Sequence, residues 1–183
     1  MDRQEKRRCV MELWKTCFPD SDVFVEFYFT EKYADENVTA VWEDGRLLSA
    51  LQMIPYTSTC WGNVFPVSYI AGASTAPDVR GRGLMSGLLR QSFRVMFGRG
   101  VAFTILIPAE PGLFDYYARF GYAPVYYGRE VSFDISVEKY AEPKEKPLSR
   151  SSMYEYFFRR QLSSSCSVLH GSIDFEALVK DFE

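Results

Sequence analysis

Residues 69–89 read YIAGASTAPDVRGRGLMSGLL and pass from an extended apolar segment, through a turn rich in Arg and Gly, into an amphipathic helix. Residues 80–83 are Arg-Gly-Arg-Gly, and glycine lets the backbone turn tightly there. The first N–H groups of the following helix have no partner within the helix, and the helix dipole makes that end positive. Together with the side chains of Arg80 and Arg82, these donors predict a site for a phosphate or pyrophosphate group.

Spacing separates the known phosphate-binding turns that share these glycines. A P-loop has Lys-Ser or Lys-Thr after its last glycine, whereas Leu84 and Met85 follow Gly83 here. A dinucleotide fingerprint has G-x-G-x-x-G, and Gly81, Gly83 and Gly87 place one residue too many before the third glycine. Neither a P-loop nor a dinucleotide site is therefore indicated, and an ordinary loop with two solvated arginines remains the alternative to an anion site.

A second pattern follows one strand and one loop later. Residues 101–107 (VAFTILI) have the composition of a buried strand, and residues 117–122 read Tyr-Ala-Arg-Phe-Gly-Tyr. Arg-x-x-Gly at Arg80 and Gly83, followed at this distance by Tyr-x-x-Phe-Gly-Tyr, resembles the GNAT N-acetyltransferase superfamily. The resemblance covers roughly residues 38–135. One departure is Met85, which stands where the family pattern Gln/Arg-x-x-Gly-x-Gly/Ala has Gly or Ala.

The resemblance implies a fold, a cofactor and a set of site residues. The fold would be α/β, with a mixed, mostly antiparallel central sheet, a splayed pair of parallel strands and flanking helices. Acetyl-coenzyme A would be the co-substrate, with its pantetheine arm between the splayed strands, and no metal ion would be needed. Tyr117 would donate a proton to the departing thiolate. The cofactor contacts implied are Ala73, Ser74 and Thr75 with pantetheine, Arg80, Gly81, Arg82, Gly83, Leu84, Met85 and Ser86 around the pyrophosphate, and Ala109 and Glu110 along the slot.

The implied activity is transfer of an acetyl group to a primary amine of a small-molecule or peptide acceptor by direct attack. A closer likeness is to the branch of the enhanced intracellular survival proteins, which acetylate amines of aminoglycosides and in which a Leu after the glycine is normal. The segments that carry this likeness are Leu13-Trp14, Phe18, Ile54-Pro55-Tyr56, Tyr69-Ile70, Thr75-Ala76-Pro77 and the two motifs above. From this likeness alone we expect an acidic pocket for a polycationic amine.

The proton transfers that such a reaction needs are only partly assigned. A phenol, with an ordinary pKa near 10, stays protonated at neutral pH, which suits Tyr117, and the motif register favours it over its neighbour Tyr116. Many relatives place a Glu on the strand before the pyrophosphate loop, but residues 67–75 contain no carboxylate. The aminoglycoside-modifying branch uses its own C-terminal carboxylate, supplied by later domains. Glu26, Glu31 and Glu110 could act through water, but each is more typical of a surface charge.

Composition is that of an ordinary globular enzyme domain. The chain has 183 residues, 47% of them hydrophobic and 25% charged, and a net charge of −3, which argues against nonspecific nucleic-acid binding. No apolar run approaches the roughly 20 residues that span a bilayer, and the N-terminus lacks a signal-peptide core. We therefore expect a cytoplasmic protein with no membrane or nucleic-acid partner, and leave homo-oligomerisation open.

The four cysteines and the single histidine predict no further chemistry. Cys9, Cys17, Cys60 and Cys166 form no C-x-x-C pair, so neither a zinc site nor a disulfide framework is indicated, and reduced thiols are expected. His170 lies far from both motifs in the sequence, so a hydrolase triad is improbable.

Periodicity and turn signals place the elements around these motifs. Helices are predicted at residues 10–18, 22–33 and 83–97, the last with Leu84, Leu88, Phe93 and Phe97 among its buried candidates. Two hairpins are predicted, the first from strands 38–42 and 46–53 around an Asp-Gly turn, the second from strands 56–60 and 64–74. Strands at 122–127 and 129–135 would close the sheet.

Composition divides the chain after the second motif. Residues 1–137 are predicted to form the GNAT acyl-CoA-binding domain, residues 138–150 a charged, Pro-containing linker, and residues 151–183 the start of a C-terminal segment or second domain. Helices are expected at 151–162 and near 172–182. Because the last pattern is still amphipathic at Glu183, we expect the chain to be the front portion of a longer protein, with a frayed terminus as the alternative.

Two other functions fit the same residues. A non-catalytic module that binds acyl-coenzyme A and regulates would keep residues 80–86 without needing Tyr117 or a base. An interaction protein would use part of the aromatic content, 16% of residues, as a partner surface, although a buried core accounts for most of those rings.

Overall fold

The structure is a computed structural model that describes residues 2–125, 154–155 and 166–169. The helices are α1 (Arg3–Cys17), α2 (Asp22–Glu31), α3 (Leu84–Gly98) and α4 (Leu113–Ala118), and the strands are β1 (Val38–Glu43), β2 (Arg46–Cys60), β3 (Asn63–Thr75), β4 (Phe103–Ile105) and β5 (Cys166–Leu169). Single 3₁₀ turns lie at Asp35–Asn37 and Pro77–Val79. Within these ranges no helix is both long and apolar enough to cross a membrane.

The strands form one mixed sheet in the order β1-β2-β3-β4. The β1–β2 and β2–β3 pairs are antiparallel, whereas β3 and β4 run parallel because α3 connects them. The short strand β5 also pairs antiparallel with β2, along residues 57–60. Helices cover the sheet, so the fold predicted from the sequence, a mostly antiparallel mixed sheet with one parallel pair, is confirmed.

The parallel pair separates after three residues. Val67, Ser68 and Tyr69 lie opposite Phe103, Thr104 and Ile105, and β3 then continues to Thr75 with no β4 residue beside it in the described part of the chain. The register of β3 against β2 also shifts between Ala50 and Gln52, where β3 contains one extra residue. Such a bulge bends a strand and increases its twist. The sheet therefore opens on the β4 side of residues 70–75.

Alternate residues of the central strands face two separate cores. On one face, α1 and α2 pack against β-strand residues that include Leu48 and Ala50. On the other face, α3 and α4 pack against Leu51, Met53 and Ile70. This alternation is what a strand buried on both faces requires. Helices therefore cover both faces of the central strands.

Gly72 lies in the bulge of β3, beneath the Trp14 ring of α1. Its φ is +56°, and a Cβ built on it would lie 2.4 Å from the nearest Trp14 ring carbon. Both the left-handed backbone and the close ring contact therefore require glycine here. The Trp14 indole is held in turn by a 2.7 Å hydrogen bond from its Nε1 to the Asp20 carboxylate.

The sequence predicted two separate strands at residues 46–53 and 56–60, with a break near Pro55. Instead, β2 is continuous from Arg46 to Cys60. On the edge of β2 away from β3, β1 pairs as far as Gln52 and β5 begins at Thr57. Pro55 therefore lies where neither strand needs its missing N–H group, which explains why the strand continues through it.

Several smaller expectations were also wrong. Helix α1 begins at Arg3, seven residues earlier than predicted, because its first two turns are charged and carry no apolar period. Phe97 is 85% exposed and does not belong to the buried face of α3. Residues 101–102, 106–107 and 122–125 form no strand. The remainder of the predicted strands at 122–135, the linker, His170 and most of the two C-terminal helices lie outside the described residues, so the domain division remains a prediction.

The prediction of reduced cysteines is wrong for Cys60, which is disulfide-bonded. Cys9 and Cys17 are free thiols, as expected. In the antiparallel register Cys60 lies opposite Cys166, a residue far from it in the sequence. Only the pairing of β5 with β2, which was not predicted, brings these two positions together.

Candidate active site

The turn at residues 80–83 presents the N-terminus of α3 to solvent. Gly81 and Gly83 have φ values of +81° and +76°, and a Cβ on either would meet no atom within 4 Å. The helix starts without a side-chain cap, and its first backbone bond runs from the Gly87 N–H to the Gly83 carbonyl at 3.0 Å. The N–H groups of residues 84–86 therefore have no acceptor among the described residues. Their direction and the helix dipole fit an anion.

Two ion pairs fasten this turn to the β1–β2 hairpin. Arg82 binds the Glu43 carboxylate through both terminal nitrogens, and Arg46 does the same with Asp78, at 2.6 and 2.7 Å. The hydrogen bond from Arg82 lowers the pKa of Glu43, and that from Arg46 lowers the pKa of Asp78. The Arg82 side chain is thus paired with the Glu43 carboxylate, and this pair connects the turn to the end of β1.

Arg80 is also directed at the protein. Its Nε donates to the Thr75 carbonyl at 3.2 Å, and its Nη2 lies 3.9 Å from the Cys17 sulfur. These contacts tie the turn to the end of β3. The sequence predicted that both arginines contact an anion. In the structure both side chains contact the protein, the backbone N–H groups are the exposed donors, and a role of Arg80 and Arg82 in binding an anion stays a prediction.

A cleft of about 520 Å³ continues from this turn along one side of α3. It runs from Arg82 and Gly83 to Arg90 and Arg94, and Gly87 is among the residues that line it. A Cβ at Gly87 would meet nothing within 4 Å, so the glycine widens the cleft at the cost of some helix stability. Its arginines make the cleft attractive to phosphate groups.

The wall of the opening is formed by the last residues of β3. Ser74 is buried, and its carbonyl accepts a 2.9 Å hydrogen bond from the Ser49 hydroxyl. The same hydroxyl lies 2.8 Å from the Thr75 hydroxyl. Ala73 packs at the edge of the α3-side core. On the far side of the opening, Ala109 and Glu110 are exposed, and the Glu110 carbonyl accepts from the Leu113 N–H at the start of α4.

Helix α4 directs its two tyrosines differently. Tyr116 is half-buried, and its hydroxyl lies 3.2 Å from the Ser86 hydroxyl in the first turn of α3. Tyr117 is 9% exposed and packs against Tyr122 at 5.7 Å between ring centroids. Burial, followed by the nearby Tyr116 and Tyr69, raises the pKa of the Tyr117 phenol. Tyr117 is therefore a buried phenol that keeps its proton at neutral pH.

Tyr69 was not among the predicted site residues, although it belongs to the last pair before β3 and β4 separate. Burial raises its pKa, and a hydrogen bond from the Ile107 N–H to its oxygen opposes the shift. Its ring meets that of Tyr56 edge to face, with centroids 6.5 Å apart. Because an aromatic residue on a strand is typical of a buried core, the residue type did not indicate that Tyr69 lies at this position.

The three carboxylates named from the sequence as possible bases, Glu26, Glu31 and Glu110, belong to different parts of the structure. Glu26 lies 4.0 Å from the Lys15 ammonium, which also pairs with Asp22 at 2.7 Å. Glu31 ends α2 and is exposed, and Glu110 precedes α4. Among the described residues, no group of three or more His, Cys, Asp or Glu side chains could hold a metal ion.

A mixed sheet opened by its parallel strand pair, with an exposed helix N-terminus at the opening, defines an acyltransferase of the GNAT class. A family model described as an acetyltransferase (GNAT) domain matches residues 3–125. The chain belongs to this family, whose members use acetyl-coenzyme A as co-substrate. No curated protein matches the chain.

Solved structures share the fold at low identity. A probable N-acyltransferase of unknown function from Enterococcus faecalis is 18% identical, with a TM-score of 0.54 over 64% of this chain and 30% of its own. Eis1 from Mycobacterium abscessus is also 18% identical, with a TM-score of 0.54 over 67% and 30%. Glucosamine-6-phosphate N-acetyltransferase from Arabidopsis thaliana is 15% identical, with a TM-score of 0.54 over 73% and 95%. The chain thus spans about 30% of the first two structures and nearly all of the third.

Proposed function

We propose that this chain binds acetyl-coenzyme A and transfers its acetyl group to a primary amine of a small-molecule or peptide acceptor. The observation that carries the proposal is the position of Tyr117. Its buried phenol belongs to the same core as α3, beside Tyr116, whose hydroxyl lies 3.2 Å from the Ser86 hydroxyl in the first turn of that helix. One opening would then hold the cofactor and present its thioester to an acid.

The cofactor would enter from the α3 side. Backbone N–H groups from Gly81 to Ser86 would bind the pyrophosphate, with Arg80 and Arg82 holding the turn that presents them. Pantetheine would extend along residues 73–75, whose free edge offers backbone groups in place of a neighbouring strand. Arg90 and Arg94 in the adjoining cleft would add positive charge for the nucleotide end. Ala109 and Glu110 would border the slot.

The reaction requires the acceptor to be a neutral amine when it attacks. Its nitrogen forms a bond to the thioester carbon, the carbon–sulfur bond breaks, and the nitrogen loses a proton to solvent. The departing thiolate takes a proton from the Tyr117 phenol, which solvent then restores. Backbone N–H groups near residues 73–75 would stabilise the oxyanion. The raised pKa of Tyr117 keeps the proton on its oxygen until the thiolate forms.

Isothermal titration with acetyl-coenzyme A, coenzyme A and ATP tests the first half of this proposal. We expect micromolar binding of both coenzymes and no binding of ATP, because the turn lacks the P-loop Lys. Thiol release with a panel of amines tests the second half. Binding without thiol release from any amine would favour the alternative, a non-catalytic acyl-coenzyme A module, and no binding would contradict both functions.

A further inference from the structure

We propose that Thr104 and Tyr122 are positioning residues for the transfer reaction, because the contact between their hydroxyl groups fixes the place of the Tyr117 phenol relative to the parallel strands β3 and β4. Neither residue was among the predicted site residues. This inference rests on the proposed function, in which Tyr117 protonates the departing thiolate, and adds the residues that hold Tyr117 in place.

The chain reverses at the end of α4, so that Tyr122 returns to Tyr117. The Gly121 N–H donates to the Ala118 carbonyl at 3.0 Å, and the Tyr122 N–H donates to the Tyr117 carbonyl at 3.4 Å. These two bonds and the φ of +90° at Gly121 form a Schellman motif, which ends a helix with a left-handed glycine. The residue after such a glycine commonly packs back on the last turn of the helix.

The Tyr122 side chain makes this contact with Tyr117. Their rings meet edge to face, with centroids 5.7 Å apart and an interplanar angle of 72°. Phe93 of α3 also lies against the Tyr122 ring, at 6.1 Å between centroids, and all three rings belong to the α3-side core. Because a packed core has little free space, a displacement of the Tyr122 ring would displace the Tyr117 ring.

Thr104 fixes the hydroxyl end of the Tyr122 ring to the sheet. The Thr104 and Tyr122 hydroxyl oxygens lie 3.1 Å apart. Thr104 is the middle residue of β4 and lies opposite Ser68 in the parallel pair. Ser68 is itself buried, and its hydroxyl donates to the Ile54 carbonyl of β2 at 3.4 Å. Tyr122 is thus joined to the sheet beside the last residue pair before β3 and β4 separate.

The proposed acid needs this connection because α4 is short. Helix α4 has six residues and no side-chain cap at its start, and a helix of this length is not stable without contacts to other elements. The Tyr116 hydroxyl supplies a contact with Ser86 of α3, and the Thr104–Tyr122 contact supplies the one with the sheet. A general acid must lie within hydrogen-bond reach of the atom it protonates, and a misplacement of about 1 Å can cost about 100-fold in rate.

The test measures thiol release from acetyl-coenzyme A by Thr104→Val, by Tyr122→Phe and by the double variant. Kanamycin, spermidine, glycine and hydroxylamine would be tried as acceptors with the unchanged protein, and the amine with the highest rate would be used for every variant. Thr104→Ser keeps the hydroxyl group. Ser92→Ala is the control, because it removes another buried hydroxyl of the same core, one that donates to the Leu89 carbonyl at 2.8 Å. Titration with acetyl-coenzyme A would show that each variant retains the folded cofactor site.

We expect Thr104→Val and Tyr122→Phe to lower kcat about three- to tenfold without changing the KM of acetyl-coenzyme A. The double variant should be no worse than either, because all three proteins lose the same contact. Thr104→Ser should retain most of the rate, and Ser92→Ala should retain all of it. Added to Tyr117→Phe, the Thr104→Val change should have no further effect on kcat, because the group that it positions is gone.

An unchanged kcat in Thr104→Val and Tyr122→Phe would overturn the positioning role alone. The same would follow from an equal loss in Ser92→Ala, or from a loss that persists by the same factor in the Tyr117→Phe protein, since a merely structural contact gives that result. An unchanged kcat in Tyr117→Phe would overturn the proposed acid as well. Acetyl-coenzyme A binding with no thiol release to any of these amines would contradict the transfer activity itself.

Discussion

The Arg82 guanidinium donates two hydrogen bonds to the Glu43 carboxylate, from Nη2 at 3.1 Å and from Nη1 at 3.3 Å. The arginine of the exposed turn is therefore held by the β1–β2 hairpin, and its contribution to the proposed cofactor site comes from the position of its backbone. A parallel bidentate pair fixes orientation better than a single contact does. Since both side chains are about half exposed, the pair contributes more to geometry than to stability.

The first prediction concerns this pair. We expect Glu43→Gln to weaken acetyl-coenzyme A binding by about two- to fivefold, the size of effect typical of an exposed ion pair. Arg82→Gln should have a similar effect, and the double variant should be no worse than either, because all three disrupt the same contact. Titration calorimetry at low salt with the unchanged protein, the two single variants and the double variant measures this double-mutant cycle.

The pH dependence of this effect has a definite sign. Because the hydrogen bond from Arg82 lowers the pKa of Glu43 in the folded protein, the contribution of the pair is complete above the ordinary carboxyl pKa of about 4 and is lost as the pH falls through the lowered value. The ratio of the acetyl-coenzyme A dissociation constants of Glu43→Gln and the unchanged protein should therefore be constant from pH 6 to 8. Tighter binding by Glu43→Gln would instead show that Glu43 competes with the cofactor for Arg82.

The second prediction concerns the pair of adjacent tyrosines. We expect Tyr117→Phe to lower kcat about 100-fold with little change in the acetyl-coenzyme A dissociation constant, since the phenol acts on the leaving thiolate and not on the ground state. Tyr116→Phe loses a contact with the Ser86 hydroxyl in the cofactor turn and should weaken cofactor binding while leaving kcat nearly unchanged. Steady-state kinetics together with calorimetry separate the two effects, and a reversed pattern would assign the acid to Tyr116.

The third prediction concerns Gly72 in the bulge of β3. We expect Gly72→Ala to lower the free energy of unfolding by about 2 to 4 kcal/mol, because the new methyl group would overlap the Trp14 ring and the backbone has a positive φ. Gly45→Ala is a matched control, with a φ of +78° and open space around the position, and should cost only about 1 kcal/mol. Urea unfolding of both variants gives the comparison. Equal losses would show that the contact with Trp14 contributes nothing.

The sequence predicted the features that depend on local chemistry. The Arg-Gly-Arg-Gly turn and the amphipathic pattern after it identified α3 to within one residue, and Asp44-Gly45 identified the first hairpin turn. Both follow from the backbone freedom of glycine and from helical periodicity. The parallel strand pair followed from the order of the two motifs and from the family resemblance.

Features that depend on contacts between distant segments could not be predicted in this way. Pro55 suggested a break in β2, and only the ends of two different neighbouring strands show why the strand continues. The directions of Arg80 and Arg82 depend on Thr75 and Glu43, whose positions the sheet determines. Tyr69 has the residue type of an ordinary strand position, and its place at the opening follows from the register of β3 against β4.

The last prediction concerns Trp61, at the tip of the β2–β3 hairpin. Trp61 and Gly62 form the turn with φ values of +44° and +77°, and the indole is 81% exposed. A bulky residue in the left-handed region is strained, whereas Asn adopts that conformation readily and Asn-Gly is the preferred pair for such a turn. We expect Trp61→Asn to raise the free energy of unfolding by about 0.5 to 1 kcal/mol, measured by urea unfolding with an unchanged m-value. Asp44→Asn, in the equivalent turn of the first hairpin, starts from a residue already suited to a positive φ and should change the stability little. A loss of stability in Trp61→Asn would mean that the indole makes a stabilising contact despite its exposure.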